Sequence, residues 1–144
     1  MSGLIISLKP NERFLVNGAL LSNGDKRSQI CIEGEDVYVL RLSDALHPDT
    51  VNTPVKRVYY LVQLILSGDV SPSDFSESLQ DGLQALIAVF QNTPLVDYLE
   101  KAKKSALRGR YYSTLYTLKG LLKLEAEMLA SVNYVPEETM VMAS

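Results

Sequence analysis

The chain has little of what catalytic sites commonly require. It contains one cysteine and one histidine, Cys31 and His47, and no tryptophan. A single cysteine cannot form an internal disulfide, which fits a reducing cytoplasm. A Cys–His pair would also need a third, orienting group, and none is evident in the sequence. We therefore interpret Cys31 as a small buried apolar group in a strand, and His47 as a loop or capping residue.

Other recognisable sites are missing as well. No cluster of His, Cys or carboxylates has metal-ligand spacing, and the acidic turn Glu33–Asp36 offers too few oxygen ligands for calcium. No phosphate-cradling glycine loop occurs. No apolar run reaches about 18 residues, and the first residues lack a positive leader and a cleavage site. The sequence therefore predicts a cytoplasmic protein that is not an enzyme and uses no metal or other cofactor.

Charge is weak overall and unevenly distributed. The 144 residues carry 14 basic and 17 acidic side chains, a net charge of −3, which argues against polyanion binding by the whole surface. Residues 1–57 hold seven basic and seven acidic side chains, whereas residues 95–123 hold seven basic and two acidic ones. Residues 68–92 and 124–144 have acids and no base. Any contact with nucleic acid must therefore be local.

The first 41 residues have the composition and the turns of a small β unit. Four apolar runs are predicted strands: Leu4–Leu8, Phe14–Leu21, Ile30–Ile32 and Val37–Leu40. Asn23-Gly24-Asp25 and Glu33–Asp36 are predicted hairpin turns. Asn17-Gly18 allows either a bulge within one long strand or a two-residue turn between two very short strands. The regular alternation of apolar residues through Leu20 favours the long strand.

Several of these runs are apolar on both faces, for example Ile5 beside Ile6 and Leu15 beside Val16. A half-exposed sheet would alternate more clearly. The small sheet must therefore be covered by the helices that follow, by its own closure or by a second copy of the chain. We expect the chain to form a homo-oligomer through the β unit.

From residue 53 onward the apolar spacing becomes helical. Three hydroxyl–proline pairs each supply an N-cap and then a residue already at helical φ: Thr53-Pro54, Ser71-Pro72 and Thr93-Pro94. Ser67-Gly68 can end the first helix in the left-handed conformation. Gly109, between the third and fourth helices, predicts an antiparallel helix pair. Tyr59-Tyr60 and Tyr111-Tyr112 are assigned to packing inside and between helices.

The predicted fold class is α+β. An antiparallel β unit occupies residues 1–42, and a region of four helices packed on it occupies residues 43–132. Residues 133–144 combine proline, acids and small residues, which predicts a flexible tail.

The basic side chains before residue 58 are the candidate phosphate contacts. Five flank the predicted strands and could line one edge of the sheet: Lys9, Arg13, Lys26, Arg27 and Arg41. Lys56 and Arg57 lie in the first turn of a helix, where cations oppose the positive end of the helix dipole. Free amides after Thr53 would complete a phosphate pocket with them. Pairing of these two cations with Asp44 or Asp49 is an equally open alternative.

A second basic cluster follows the third helix into the next turn: Lys101, Lys103, Lys104, Arg108 and Arg110. Cations there complement the negative end of the dipole, so helix stability alone accounts for them. The β unit has only Phe14 and Tyr38 as aromatic residues. The base-stacking platform of common RNA-recognition sheets is therefore not apparent in it.

Three segments carry unusual residue combinations in a fixed order. They are LKPNERFLVNG from Leu8, NGDKR from Asn23, and ALHPDTVNTPVKR followed by YYLVQLILSGD from Ala45 to Asp69. Together they resemble the FlbT family of bacterial flagellin-synthesis regulators, over residues 4 to about 129. The resemblance implies a protein that associates with the 5′ untranslated region of flagellin mRNA and promotes its degradation by attachment and not by cleavage. It also implies FlaF or flagellin as a partner.

A second resemblance is confined to the β unit. LIISLKPNERFLVNG and QICIEGEDVYVLR are similar to the strand pattern of the CsrA family, dimeric β proteins that bind mRNA leaders. In that family basic residues close to the first and last strands touch RNA, and Lys9 and Arg41 hold comparable places. Asn11 stands where that family has a glycine, and the helical half has no counterpart there.

Two functions follow as hypotheses. The first is an RNA-binding repressor of flagellin synthesis that uses the seven cations before residue 58. The alternative is a protein-interaction module, a chaperone-like partner of flagellin or FlaF, that affects mRNA indirectly. Salt separates them, because phosphate contacts weaken steeply as salt rises and an apolar groove does not.

Overall fold

The chain folds as an α+β protein with the strands first and the helices after them. The computed structural model describes residues 3–131, so the predicted tail at 133–144 lies outside the described residues. The strands are β1 Leu4–Leu8, β2 Arg13–Val16, β3 Ala19–Ser22, β4 Ser28–Ile32 and β5 Val39–Arg41. Two short 3₁₀ helices follow, Leu42–Asp44 and Pro48–Thr50. The α-helices are α1 Pro54–Ser67, α2 Pro72–Val89, α3 Leu95–Leu107 and α4 Tyr111–Ser131.

The strands form two small antiparallel sheets. β1 pairs with β4, so that Leu4 lies opposite Ile32 and Leu8 opposite Ser28. β2 is the central strand of the other sheet, with β3 on one side and β5 on the other. β3 is therefore an outer strand, and all four of its residues are exposed.

Asn17 and Gly18 form a two-residue hairpin turn between β2 and β3. Both residues have positive φ, 48° and 84°, and Val16 lies opposite Ala19. The backbone N–H of Asn17 donates to the Tyr38 carbonyl, and its Oδ1 accepts from the Tyr38 N–H, both at 2.8 Å. The favoured prediction of one long strand is wrong, and the two-residue turn is the correct alternative.

The other two predicted hairpin turns connect strands of different sheets. Asn23–Asp25 leads from β3 to β4, and Glu33–Asp36 leads from β4 to β5, yet β4 pairs with β1 and β5 pairs with β2. The prediction of two hairpins is therefore wrong at both places. Turn residues indicate that the chain changes direction, but they do not indicate which strand the next one joins.

Both ends of α1 form as the sequence predicts. Thr53 Oγ1 accepts from the Lys56 N–H at 3.2 Å, and Gly68 ends the helix with φ 85°. A Cβ on Gly68 would lie 3.8 Å from the Gly18 Cα, so the end of α1 meets the β2–β3 turn. The start of α1 lies against α4 instead, through Glu125.

Two clusters of buried apolar side chains meet at β5. The larger one is formed by the four α-helices and includes Leu40, and the smaller one consists of Ile6, Leu8, Phe14 and Val39. Because consecutive strand residues point to opposite faces, Val39 and Leu40 contribute to different clusters. This strand therefore joins the β unit to the helices.

α3 and α4 form the predicted antiparallel pair. Gly109 has φ 72° between them, and the hydroxyls of Ser105 in α3 and Thr114 in α4 lie 2.8 Å apart across this turn. Tyr59 and Tyr111 are buried, which confirms their assignment to packing. Within residues 3–131, no helix combines the length and the apolar content that a membrane crossing needs.

Candidate nucleic-acid interface

Four of the candidate cations lie at one end of the β unit. β1 ends at Leu8 opposite Ser28, the first residue of β4, so Lys9 and Arg27 extend from the same end of that ladder. Arg13 begins β2 opposite Ser22, the last residue of β3. The four residues that share this end are named the cation end: Lys9, Arg13, Lys26 and Arg27.

Asn23 links the loop after β1, which carries Lys9, to the loop before β4, which carries Lys26. Its Nδ2 donates to the Lys9 carbonyl at 2.7 Å and to the Lys26 carbonyl at 2.9 Å, and its Oδ1 accepts from the Ser28 hydroxyl at 2.7 Å. The Asn11 N–H donates to the Gly24 carbonyl at 2.8 Å. These bonds hold the backbones of Lys9 and Lys26 beside each other.

The four side chains of the cation end are exposed, and none of them forms an ion pair with another residue in the 3–131 range. Glu12 is close in sequence, but its carboxylate accepts from the Lys9 N–H at 2.9 Å and from Arg41. Asp25 is an exposed carboxylate of the same loop. The positive charge of this end is thus only partly balanced, which suits an anionic ligand.

Arg41, in contrast, is partly buried, and its guanidinium is bound by other residues of the chain. Its guanidinium donates to Glu12 Oε2 at 3.3 Å and to the Ser7 carbonyl at 2.6 Å. Partial burial opposes the charged form, but a hydrogen bond to Tyr112 and the nearby Glu12 and Asp44 carboxylates outweigh it and raise the pKa of Arg41. Arg41 therefore connects β1, β2 and α4, and Glu12 compensates its charge.

The amides at the start of α1 are already occupied by the protein's own carboxylate. Glu125 of α4 is only 4% exposed; its Oε1 accepts from the Thr53 hydroxyl at 2.6 Å and its Oε2 from the Val55 N–H at 3.3 Å. The Lys56 N–H is used by the Thr53 hydroxyl. The prediction of free amides is therefore wrong, because an acid 72 residues away in the chain fills the anion position.

Lys56 and Arg57 remain at the surface beside this cap. The Nζ of Lys56 lies 3.4 Å from Asn52 Oδ1, and Arg57 is exposed. Of the two acids considered as their partners, Asp44 accepts from the Nζ of Lys119 at 2.6 Å, and the exposed carboxylate of Asp49 lies 3.4 Å from His47 Nδ1.

The candidate cations form two groups, which lie near different points along α4. Tyr112 contacts Arg41, beside the β unit, and Glu125 contacts Thr53, beside Lys56. Tyr112 and Glu125 are thirteen positions apart, which is about 20 Å along the helix at 1.5 Å per residue. Lys56 and Arg57 are therefore a separate group from the cation end.

The predicted helical cluster is exposed on α3 and on the turn after it, apart from the partly buried Lys103, whose Nζ donates to Gln84 of α2. Two aromatic residues beside this cluster were missed: Tyr98 is 41% exposed and Tyr116 is 71% exposed. The sequence does indicate the exposure of Tyr116, because Tyr116 and Gly120 are four residues apart on the helix face opposite the apolar stripe.

The remaining sequence candidates have structural explanations. Cys31 is exposed, so the prediction of a buried thiol is wrong; it lies opposite Ile5 on the outer face of a two-stranded sheet. His47 caps the second 3₁₀ helix, with Nδ1 accepting from the Asp49 N–H at 3.2 Å, as predicted. Residues 3–131 contain no group of three His, Cys, Asp or Glu side chains that could hold a metal ion.

Comparison with known proteins gives a consistent result. The model of the family described as "Flagellar protein FlbT" matches residues 4–129. The flagellum biosynthesis repressor protein FlbT of Caulobacter vibrioides (strain ATCC 19089 / CIP 103742 / CB 15) is 31% identical over 130 residues, covering 90% of this chain and 92% of that protein. A probable flagellum biosynthesis repressor protein FlbT of Rhodopseudomonas palustris (strain TIE-1) is 33% identical over 129 residues, covering 88% and 98%. No solved structure matches this chain.

Proposed function

The chain belongs to the FlbT family of flagellar proteins, and from that premise we propose that it represses flagellin synthesis by binding the 5′ untranslated region of flagellin mRNA. In this proposal the protein works in the cytoplasm and promotes degradation of the transcript by attachment. Cleavage is left to cellular nucleases, and the protein itself needs no cofactor.

The cation end is the observation that carries this proposal. Lys9, Arg13, Lys26 and Arg27 are exposed at one end of the β unit, and none of them has an ion-pair partner among residues 3–131. Cations gathered in this way attract the phosphates of a transcript even though the net charge is −3. Phosphate binding therefore needs only this local surface.

The other three candidate cations have different roles in the proposal. Lys56 and Arg57 form a second phosphate contact about 20 Å along α4 from the Arg41–Tyr112 contact. Arg41 adds positive potential, but mainly it fixes the strands that carry the cation end, because Glu12 and the Ser7 carbonyl already bind its guanidinium.

A second copy of the chain is the proposed partner of the β unit. β3 is an outer strand whose second edge pairs with no strand among residues 3–131, and its Leu20 is 58% exposed. Ile5 of β1 is 64% exposed. Apolar side chains on open strand edges favour pairing with another strand, which in a homo-oligomer would be the same edge of a second copy.

A second candidate function is a protein-interaction module that holds flagellin or FlaF and affects the mRNA indirectly. A groove beside the end of α4 favours it, because Leu95, Leu124 and Met128 line this groove and Met128 is exposed. An apolar groove of this kind suits a segment of another protein and not a phosphate backbone.

A salt series decides between the two functions. Gel shifts with flagellin leader RNA should show affinity that falls as salt rises, with a slope of about −4 in log K against log salt for six phosphate contacts on a single strand, four at the cation end and two at Lys56 and Arg57. Light scattering on the same sample should show a species larger than one chain. Absence of binding at low salt, together with salt-independent capture of flagellin or FlaF, would favour the second function.

A further inference from the structure

We propose that the outer face of the α3–α4 pair is a base-stacking surface for single-stranded RNA. The inference rests on the proposed function and deepens it, because the cation end would hold phosphates whereas this face would hold bases. The stacking face is defined as Tyr98, Gly120 and Tyr116, with Lys101 and Lys123 at its sides.

Gly120 brings the two rings onto one surface. A Cβ on Gly120 would lie 3.7 Å from Cε1 of Tyr98, so the Tyr98 ring of α3 lies against the backbone of α4. Tyr116 precedes Gly120 by one helical turn, about 6 Å along the axis. Both rings are partly or largely exposed, and no side chain of residue 120 stands between them. Two adjacent exposed rings can each receive a base.

Lysines flank the rings on both helices. Lys101 follows Tyr98 by three residues and Lys123 follows Tyr116 by seven, spacings that place each lysine on the same helix face as its tyrosine. Both lysines are exposed, and neither forms an ion pair in the described part of the chain. Glu127, one turn beyond Lys123, is the carboxylate at the far end of this face. Asp97, one turn before Lys101, is a second exposed carboxylate, so the placement of the two lysines beside the rings, and not the net charge of the face, favours a phosphate backbone.

The position of the face on α4 suits a strand that also reaches the β unit. Tyr112, one turn before Tyr116, contacts Arg41 at the end of β5. Glu125, beyond Lys123, contacts Thr53 at the start of α1. Because Glu125 is buried on the side of α4 opposite the rings, the cations that a transcript on this face could also bind are those of the β unit.

The chemistry around the rings favours RNA over a protein partner. Charged side chains and a glycine lie beside the rings, whereas protein interfaces have an apolar centre and few charges there. The exposed apolar side chains Val89 and Leu107 lie at the last residues of α2 and α3 instead. Lysines with exposed aromatic rings match a phosphate backbone with unpaired bases.

The test compares oligouridine of about 12 nucleotides with an abasic oligomer of the same length, which keeps the phosphates but has no bases. The test variant combines Tyr98→Ala with Tyr116→Ala. A conservative variant combines Tyr98→Phe with Tyr116→Phe, and a control of exposed apolar residues combines Val89→Ala with Leu107→Ala. Thermal melting by circular dichroism checks that each variant folds.

We expect the alanine variant to lose roughly thirtyfold in affinity for oligouridine, since each of the two stacked bases accounts for about fivefold. The phenylalanine variant and the Val89/Leu107 control should bind like the wild type. Wild type and alanine variant should bind the abasic oligomer equally. Should the alanine variant not fold, the preference of the wild type for oligouridine over the abasic oligomer decides the question.

Two results would overturn the stacking face alone: an alanine variant that binds oligouridine like the wild type, or an equal loss of affinity for the abasic oligomer. The proposed function would survive either result if binding by the wild type still weakened with salt. A wild type that binds neither oligomer nor the leader RNA would overturn both proposals.

Discussion

The β unit and the α3–α4 pair both carry several cations but present them differently. Residues 1–42 contain five basic and five acidic side chains, and residues 95–131 contain seven basic and four acidic ones. In the β unit a carboxylate compensates Arg41, whereas the cation end has no ion-pair partner among residues 3–131. The number of cations therefore decides little, and their placement relative to carboxylates decides where a polyanion can bind.

The two regions also differ in their aromatic side chains. In the β unit Phe14 is buried and Tyr38 packs edge-on against Tyr111, with ring centroids 5.9 Å apart. In the helix pair Tyr98 and Tyr116 face outward. The β unit is thus suited to phosphates alone, and the helix pair to phosphates and bases together.

The largest expected effect tests whether the cation end of the β unit binds phosphates. Lys9→Glu with Lys26→Glu should weaken leader binding about a hundredfold, about 2.8 kcal/mol, because both cations lie where Asn23 joins the loops. The matched control is Lys103→Glu with Lys104→Glu, which changes net charge equally and should cost less than about threefold. Gel shifts measure both. A greater loss in the control would move the phosphate site to α3.

A second prediction concerns the connection between α1 and α4. Glu125→Ala removes the acceptor of the Thr53 hydroxyl and the Val55 N–H in a buried place, so it should cost about 2 kcal/mol of stability. Thermal melting should show a Tm lower by about 6 °C. The exposed Glu127→Ala should change stability by less than about 0.5 kcal/mol. Equal melting of the two variants would contradict the capping role of Glu125.

The third prediction tests whether the second cation group takes part. Lys56→Glu with Arg57→Glu should weaken leader binding about tenfold, about 1.4 kcal/mol, without unfolding the protein. The loss is smaller than at the cation end because Glu125 already occupies the amides of this helix start. A variant that binds leader RNA normally would remove this pair from the site.

The smallest expected effect concerns the open edge of β3. Leu20→Lys should raise the dissociation constant of a homo-oligomer about fivefold, about 1 kcal/mol, because a lysine on an outer strand disfavours pairing. Light scattering over a dilution series measures it, and the similarly exposed Leu107→Lys on α3 is the control. An oligomer unchanged by the first variant and dissociated by the second would place the interface on the helices.

The parts of the fold that could be predicted from sequence depend on neighbouring residues. Thr53-Pro54 and Gly68 define both ends of α1 through bonds within four residues, and Gly109 sets the α3–α4 turn in the same way. The prediction of one long strand with a bulge at Asn17-Gly18 is wrong for a different reason. The alternation of side chains is the same in both arrangements, and the deciding bonds come from Tyr38.

The candidate site shows the same limit. Sequence indicated the cations, but the partners that distinguish them lie far along the chain: Glu12 for Arg41, 29 residues away, and Glu125 for Thr53, 72 residues away. No local pattern identifies such pairs. Cys31 was misassigned because an apolar neighbourhood in sequence does not reveal that its sheet has only two strands.

Ultraviolet cross-linking of uridine-containing leader RNA, mapped by mass spectrometry, tests most directly whether a transcript lies on both regions. We expect cross-linked peptides from the segment that carries Lys9 to Arg27 and from the two helices around Tyr98 and Tyr116. Val89 and the rest of acidic α2 should remain unmodified, since it offers neither cations nor exposed rings. Cross-links confined to α2, or spread evenly over the surface, would contradict the account.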